Sequence, residues 1–428
     1  MPIVTRFVAG TVAIAALFTG VPAWAAAADP DEGALDLKSA PVEASEATPK
    51  STKLFVEAAL GTAPQRYEAG SRSLRRASLD LFYASKFGDN WRVVFSNRVD
   101  HIRPKDPGVD DTLNSLREAY VSWEGDGGNT VVDLGRINLR YGPAYGYNPT
   151  DFFRDGALRS ITSVNPFSLR ENRLGTVALR AQRLWQGGSL ALVVSPKLAN
   201  ESSGQAFSLD LGATNNRSRG LLTANQQFSD RVSGQVLLYK EPGLGVQPGA
   251  SLTALVSNAA TAHFEWSHAR GPGLADRAWA VQGRATSGNR LAAGLTYTTA
   301  SKLSLTAEVQ YNELALSKSD WDRANIGGPA LIFSYLTQAQ RLQELASRRA
   351  YLLYASQRDA GMKNLDVTAF VRLNADDSSY LSWLELRYRW ANLDLALQWQ
   401  RNSGRTSTEY GLYPDRRIAQ LVASYHFQ

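Results

Sequence analysis

Segments of about ten residues in which apolar and polar side chains alternate recur along most of this chain. They limit the fold more than any single motif does. In 303–312, Leu303, Leu305, Ala307, Val309 and Tyr311 share one face, and Ser304, Thr306, Glu308, Gln310 and Asn312 share the other. Residues 365–374 repeat the pattern, with Leu365, Val367, Ala369, Val371 and Leu373 against Asp366, Thr368, Phe370, Arg372 and Asn374. In 393–402, Leu393, Leu395, Leu397 and Trp399 oppose Asp394, Ala396, Gln398, Gln400 and Asn402. Successive strand residues point to opposite faces, so each segment has one apolar and one polar wall. About ten residues is also the length a tilted strand needs to cross a bilayer.

Beyond the N-terminal region no apolar run approaches the ~20 residues of a helical span, and mean hydropathy is -0.27. Only helices and closed barrels satisfy their backbone hydrogen bonds in lipid, so a membrane protein built this way is a barrel. Eighteen segments qualify: 53–61, 74–86, 91–102, 114–123, 130–136, 174–185, 189–196, 219–228, 231–240, 261–268, 277–287, 289–299, 303–313, 348–357, 364–373, 379–389, 393–402 and 416–427. The expectation is an all-β fold, a single transmembrane antiparallel up-and-down barrel of about eighteen strands, or sixteen.

The connections between these segments fall into two alternating sets. Residues 88–90, 124–129, 186–188, 229–230, 300–302 and 390–392 are short; 137–173, 197–218, 241–260, 314–347 and 403–415 are long. Short periplasmic turns and long outer loops are the pattern of a bacterial barrel. Two connections break it: 269–276 is long for a turn and 287–289 short for a loop. Tyr83, Trp91, Trp123, Trp185, Trp266, Tyr297, Tyr311, Tyr388, Trp390 and Trp399 cluster near strand ends, where aromatic girdles meet lipid headgroups.

The N-terminus points to the same compartment. Arg6, the uncharged run 7–21 and Ala23-Trp24-Ala25 read as a signal peptide over 1–25. Residues 26–52 lack an apolar period and read as a flexible periplasmic leader, leaving 53–428 as the barrel. The chain has no cysteine, which excludes disulfides, thiolate metal sites and cysteine nucleophiles. Tyr425-His426-Phe427-Gln428 resembles the C-terminal signature read by the barrel assembly machinery. Outer-membrane lipid, that machinery, periplasmic chaperones and a small solute are therefore the expected partners, at the cell outer membrane.

Chemistry belongs on the inward face. That face collects Arg76, Arg92, Arg98, Arg180, Arg284, Arg372, Arg387 and Arg389, with Asp80, Asp100, Glu118, Glu265, Glu308, Asp366, Glu385 and Asp394. Of these, Arg372, Arg387, Arg389, Glu308 and Asp366 are the candidate lumen-lining set. Charges of both signs on a pore wall tune ion selectivity, or pair and keep the lumen wet.

The connection within 134–173, LGRINLRYGPAYGYNPTDFFRDGALRSITSVNPFSLRENR, is too long for a hairpin loop. Gly142, Gly146, Pro143 and Pro149 bend it, and its tyrosines and phenylalanines can anchor it. Arg136, Arg140 and Arg154, with Asp151 and Asp155, are the candidate constriction. The run LGRINLRYG followed by FFRDGALR resembles alginate-export-type and related carbohydrate porin-like barrels. That resemblance implies an arginine-lined barrel conducting an anionic or sugar-like solute. A second reading keeps this loop as a closure of the outer mouth. In 314–347, residues 335–347 are expected to form a short amphipathic helix that caps the lumen or forms a lid.

Enzymatic readings are poor. Among four histidines, His263 near Ser267 is the one local pair, and four strand residues span about 13 Å, too far for a hydrogen bond within the strand. No HExxH, GxSxG, P-loop or dinucleotide fingerprint occurs. The expectation is a pore without cofactor or metal, not an enzyme and not a nucleic-acid binder; an outer-membrane enzyme or surface-assembly protein with a plugged lumen is the alternative.

Overall fold

The computed structural model describes residues 50–105, 109–280 and 286–427. The expected signal peptide, most of the expected leader and Arg284 lie outside the described residues. Strand β1 (Lys50–Pro64) takes in the last residues of the expected leader. Then follow β2 (Ser71–Phe87), β3 (Trp91–Arg103), β4 (Thr112–Gly125), β5 (Thr130–Ile137), β6 (Thr176–Trp185), β7 (Gly188–Ser195), β8 (Arg219–Ser229) and β9 (Val232–Lys240). The second half comprises β10 (Gln247–Ser257), β11 (Ala260–Gly271), β12 (Thr286–Thr298), β13 (Leu303–Asn312), β14 (Arg349–Gln357), β15 (Leu365–Asn374), β16 (Tyr380–Arg389), β17 (Leu393–Ser403) and β18 (Arg417–Phe427).

Each strand pairs antiparallel with its sequence neighbours, and β1 pairs with both β2 and β18, so the sheet of 18 strands closes on itself. Closure removes the unpaired edges that would otherwise be untenable in lipid. Among the described residues no helix is long and apolar enough to cross a membrane. The alternation that marked the strands sorts their side chains. On β13, Leu305 and Val309 are exposed on the outer wall, whereas Thr306, Glu308, Gln310 and Asn312 are buried inside. On β17, Leu397 points out, and Ala396, Gln398 and Asn402 point in. Phe87, Trp91, Trp185, Tyr297, Trp390, Tyr425 and Phe427 form an exposed aromatic rim near the short turns.

One strand differs from expectation. Gln247–Ser257 is β10, inside the connection read as a long loop, while the expected strand 277–287 begins as a helical turn at 277–278 and is strand at 286–287, with 281–285 outside the described residues. Pro248, Gly249 and Ala250 hide the alternation at the start of β10, and Pro248 lacks the ladder N–H. Conversely, Leu274 to Ala278 is a helical turn whose Leu274 is buried against other loop residues. The correction removes both breaks in the loop pattern. The β10–β11 connection is a two-residue turn at 258–259, and the β11–β12 connection is long, 272–285. The β1 start and β18 end lie on the short-turn side.

Two long connections fill the other half of the lumen. The first, 138–175, contains α1 (Pro166–Glu171). The second, 313–348, contains α4 (Lys318–Ile326) and α5 (Pro329–Leu342); the short helices α2 (Leu211–Thr214) and α3 (Leu274–Ala278) lie in neighbouring loops. Ser317 and Asp320 form a capping box at the start of α4. The helix expected over 335–347 exists but starts earlier and stops at Leu342, because Gln343 adopts φ 51°. Ile332, Tyr335, Leu336, Ala339 and Leu342 form its buried stripe, packed on Trp321 and Leu274.

Candidate functional site: an inward loop and two lumenal cavities

The loop 138–175 folds inward because two wall carboxylates hold its backbone. Glu265 on β11 accepts from the Ala144 N–H at 2.7 Å, Asn148 Nδ2 at 3.0 Å and Thr150 Oγ1 at 2.8 Å. Glu308 on β13 accepts from the Tyr145 and Gly146 N–H groups at 2.7 and 3.1 Å. Both acids are fully buried, so these donors replace the water that the carboxylates would otherwise require. Gly142 sits at φ 87°, and a Cβ there would run into the Glu265 carboxylate. A side chain at Gly146 would strike Gln310. The glycines thus let the loop backbone touch the wall.

The loop is braced from within. Arg173 pairs with Asp151 at 2.8 Å, and Arg170 donates to the carbonyls of Tyr141 and Gly142 at 3.2 Å. Phe152 stacks on Tyr239 with centroids 4.7 Å apart, and Tyr145 packs edge-on against Phe167 and Tyr354. Glu344, just past α5, joins the two long loops: it pairs with Arg154 at 2.7 Å and Arg290 at 3.0 Å, and accepts from Tyr147 Oη at 2.7 Å. Although burial opposes it, Arg154 and Arg290 hold the Glu344 carboxyl below the ordinary range.

Two cavities flank this braced segment. The inner one, about 700 Å³, opens among β1–β4 and β16–β18 towards the short-turn side. Its lining includes Lys53, Arg76, Arg98, Arg117, Arg140 and Arg387, against Glu57, Asp80, Glu118, Glu171 and Glu385. Glu57 bridges Arg76 and Arg98 at 2.5 and 2.8 Å, Asp80 pairs with Arg117 at 2.5 Å, and Arg387 pairs with Glu385 at 2.9 Å. Arg76 also donates to the Thr162 carbonyl and Arg117 to Asn172 Oδ1, both at 2.9 Å, tying the loop to this wall. The outer cavity, about 200 Å³, is lined by Arg154, Arg170, Arg173 and Arg372 against Asp151, Glu344 and Glu409. Leu169 and Arg170 of α1 line the outer cavity, while Ser168 and Glu171 line the inner one. The segment around α1 therefore separates the two.

The expected constriction residues divide. Arg140 lines the inner cavity, and Arg154 and Asp151 line the outer one. Arg136 is buried and donates to the carbonyls of Gly175 and Leu209, so it holds loop backbone. Asp155 pairs with Arg217 at 2.6 Å in a neighbouring outer cleft. Of the expected lumen set, Arg372 and Arg387 line cavities, Glu308 lies under the loop, and Arg389 pairs with Asp366 at 2.6 Å near the turn side. His263 Nε2 stands 3.1 Å from Glu308, and Ser267 donates to the Pro149 carbonyl, so the two serve different contacts. Sequence reasoning missed the holding role of Glu265 and Glu308 and the bridging role of Glu344. Period two places the first pair on the inner wall, but no local pattern gives their partners more than 100 residues away.

No protein-family model matches the chain, and no curated protein matches it in sequence. Solved structures do match in fold. Acinetobacter baumannii OccAB1 aligns with a TM-score of 0.57 at 12% identity, covering 90% of this chain and 99% of that one. A BenF-like porin from Pseudomonas fluorescens Pf-5 aligns with a TM-score of 0.53 at 11% identity, covering 89% and 99%. The outer membrane protein opdK from Pseudomonas aeruginosa aligns with a TM-score of 0.52 at 10% identity, covering 88% and 98%. The chain has the closed 18-strand barrel fold of these proteins.

Proposed function

We propose that this protein is an outer-membrane pore for small polar solutes, preferring anionic or sugar-like ones, with loop 138–175 as its constriction. One observation carries the reading: an apolar-walled closed barrel encloses charged cavities on both sides of an inward-folded loop. An aqueous, charged interior serves no purpose in lipid unless something polar enters it. The BenF-like porin among the fold neighbours agrees with this reading. The anion preference is supported by the outer cavity, where four guanidinium groups face three carboxylates. A guanidinium stays charged at any working pH and can grip a carboxylate with two parallel bonds. The resemblance of 134–173 to alginate-export-type barrels adds acidic sugars to the solute class.

In this reading Arg140, Arg154 and Asp151 flank the narrow passage beside α1, and Arg136 and Asp155 position the loop. Arg387 and Arg372 line the approaches on the two sides. Reconstitution in planar bilayers tests the proposal. The wild-type protein is expected to conduct, with a reversal potential in a salt gradient that favours anions. Arg140→Gln with Arg387→Gln should move it towards cations, and more so at low salt, where screening is weak. Absence of conductance would overturn the pore; cation preference in the wild type, or an unmoved potential in the double variant, would overturn the arginine assignment.

A further inference from the structure

Two pairs of arginines face outward from the barrel wall at its long-loop end. Arg401 on β17 is the cross-strand partner of Arg417 on β18, and Arg75 on β2 is that of Arg103 on β3. Alternation sets them on the lipid-facing wall. Arg401 is in line with Leu397 and Trp399, Arg417 with Leu421, and Arg75 with Leu79, all of them exposed. Their chain neighbours point the other way, Arg76 into the inner cavity and Asn402 into the buried interior. Like charges directly opposite one another on a sheet face are destabilising. Among the described residues the side chains of Arg75, Arg401 and Arg417 have no hydrogen bond or ion pair, and Arg103 has Asp111 at 3.1 Å. On β14, by contrast, the outward Arg349 meets Asp376 at 2.8 Å. One outward arginine is thus neutralised by the chain itself, while the sector from β17 through β1 to β3 is left positive.

The surroundings of these arginines are those of a headgroup layer. Long loops mark the outer side of a bacterial barrel, so this end meets the outer leaflet. Trp399 follows Arg401 towards the short turns, as an interfacial ring does, and Leu60, Leu79, Leu397 and Leu421 then form an apolar wall for acyl chains. Thr62 of β1 pairs with Ala419 on one side and Ser73 on the other. Arg417 and Arg75 therefore lie four residues and two strands apart, about 16 Å between backbones at ordinary strand spacings. Each pair presents two forks of the kind that grip a phosphate through parallel hydrogen bonds, and the gap leaves room for a sugar-sized spacer. We propose that this sector is a docking surface for an outer-leaflet lipid with two phosphate groups. Arg401 and Arg417 hold one phosphate, Arg75 with Arg103 holds the other, and the acyl chains lie on the leucine wall. The bound phosphates remove the repulsion within each pair, so the lipid also steadies the seam where β1 meets β18 and β2.

The full chain, folded in detergent and checked by heat-modifiable gel mobility, is placed in mixed micelles with lipid A bearing two phosphates, lipid A bearing one, or phosphatidylglycerol. Native mass spectrometry across a concentration series counts the lipid retained. The wild-type protein should retain one molecule of the bisphosphorylated lipid. An arginine near an anionic surface contributes roughly a fivefold factor. Arg401→Gln with Arg417→Gln should therefore weaken that binding about thirtyfold. Loss of one phosphate from the lipid should cost the wild type about fivefold, because Asp111 already offsets Arg103 and only Arg75 is forfeited. In the double glutamine variant the two forms of lipid A should bind alike. Arg401→Lys with Arg417→Lys, which keeps the charge without the fork, should fall between. Arg349→Gln should bind as the wild type does. Equal wild-type affinity for all three lipids, unchanged affinity in the double glutamine variant, or an equal loss in Arg349→Gln would overturn the proposal. Displacement of the lipid by millimolar inorganic phosphate would overturn it too, since the site would then take a free anion. If the glutamine variant does not fold, the lysine variant and the lipid series on the wild type still decide. The proposal needs the barrel in its membrane but no conduction, so a protein that binds the lipid and gives no conductance would sink only the pore reading.

Discussion

On β11 and β13 the inward carboxylates Glu265 and Glu308 meet backbone N–H groups of the long loop, whereas on β1 and β2 Glu57 and Asp80 meet guanidinium groups of neighbouring strands. The residue types on the two walls are alike, and the difference lies in the donor. A backbone N–H cannot leave its acceptor unless the loop moves, so the first wall is a clamp. A guanidinium at the end of a long side chain reaches across the wall and leaves space, so the second wall borders a cavity of about 700 Å³. One alternating pattern thus yields a loop-bearing wall and a solvent-bearing wall, depending on what each acid finds opposite.

The largest effect that separates these walls is on folding. Val309→Arg puts a guanidinium on the lipid face of β13, where 55% of the valine is exposed, and should cost about 2–4 kcal/mol near the bilayer midplane. Gln310→Arg, one residue on, faces inward but lies directly beneath Gly146 and donates to Glu308, so overpacking should cost about 1–3 kcal/mol. Gln398→Arg faces the inner cavity and should fold best. Folding yields in lipid vesicles give the ranking. Equal yields for the two inward variants would mean that the loop does not press on β13.

Next in size is the release of the loop. Glu265→Gln with Glu308→Gln places amide donors where the loop backbone requires acceptors, and each buried donor left unmet costs about 1–3 kcal/mol. Single-channel conductance should rise and become noisy as loop 138–175 leaves the wall. Glu57→Gln with Glu385→Gln, on the other wall, should keep the wild-type conductance level and alter selectivity. If the clamp variant conducts quietly at the wild-type level, the two carboxylates do not hold the constriction.

How much of this was legible in the sequence depends on range. Period two placed Val309 outside and Gln310 inside, and aromatic residues such as Trp91 and Trp390 marked the turn-side rim. It failed at β10, where Pro248 and small residues carry no alternation, and at 277–278, where the end of a helical turn imitated the start of a strand. The long loop was visible through its length and glycines. The use of its arginines was not: Arg136 and Arg154 bind Gly175, Leu209 and Glu344, partners set by how three loops converge. A charge on a loop shows in sequence, but whether it faces solvent or a carbonyl is decided by tertiary contacts.

The smallest expected effect asks whether the wall ion pairs set the field in the inner cavity. Arg387 donates to Glu385 through Nε at 2.9 Å and through a terminal nitrogen at 3.0 Å, with Asp394 next at 3.8 Å. Both partners of this pair remain partly open to the cavity, at 21% and 13% side-chain exposure, so the pair contributes on the order of 1 kcal/mol or less. Glu385→Gln removes one negative charge and frees the guanidinium, so the reversal potential should shift modestly towards anions. Because those charges border solvent, the shift should be clear at 0.01 M salt, with a screening length of about 30 Å, and fade at 1 M, where it is about 3 Å. Glu308→Gln, beneath the loop and out of reach of mobile ions, should change conductance without such salt dependence. A Glu385→Gln shift towards cations, or one that persists at high salt, would show that the inner wall acts through packing, as the clamped wall does.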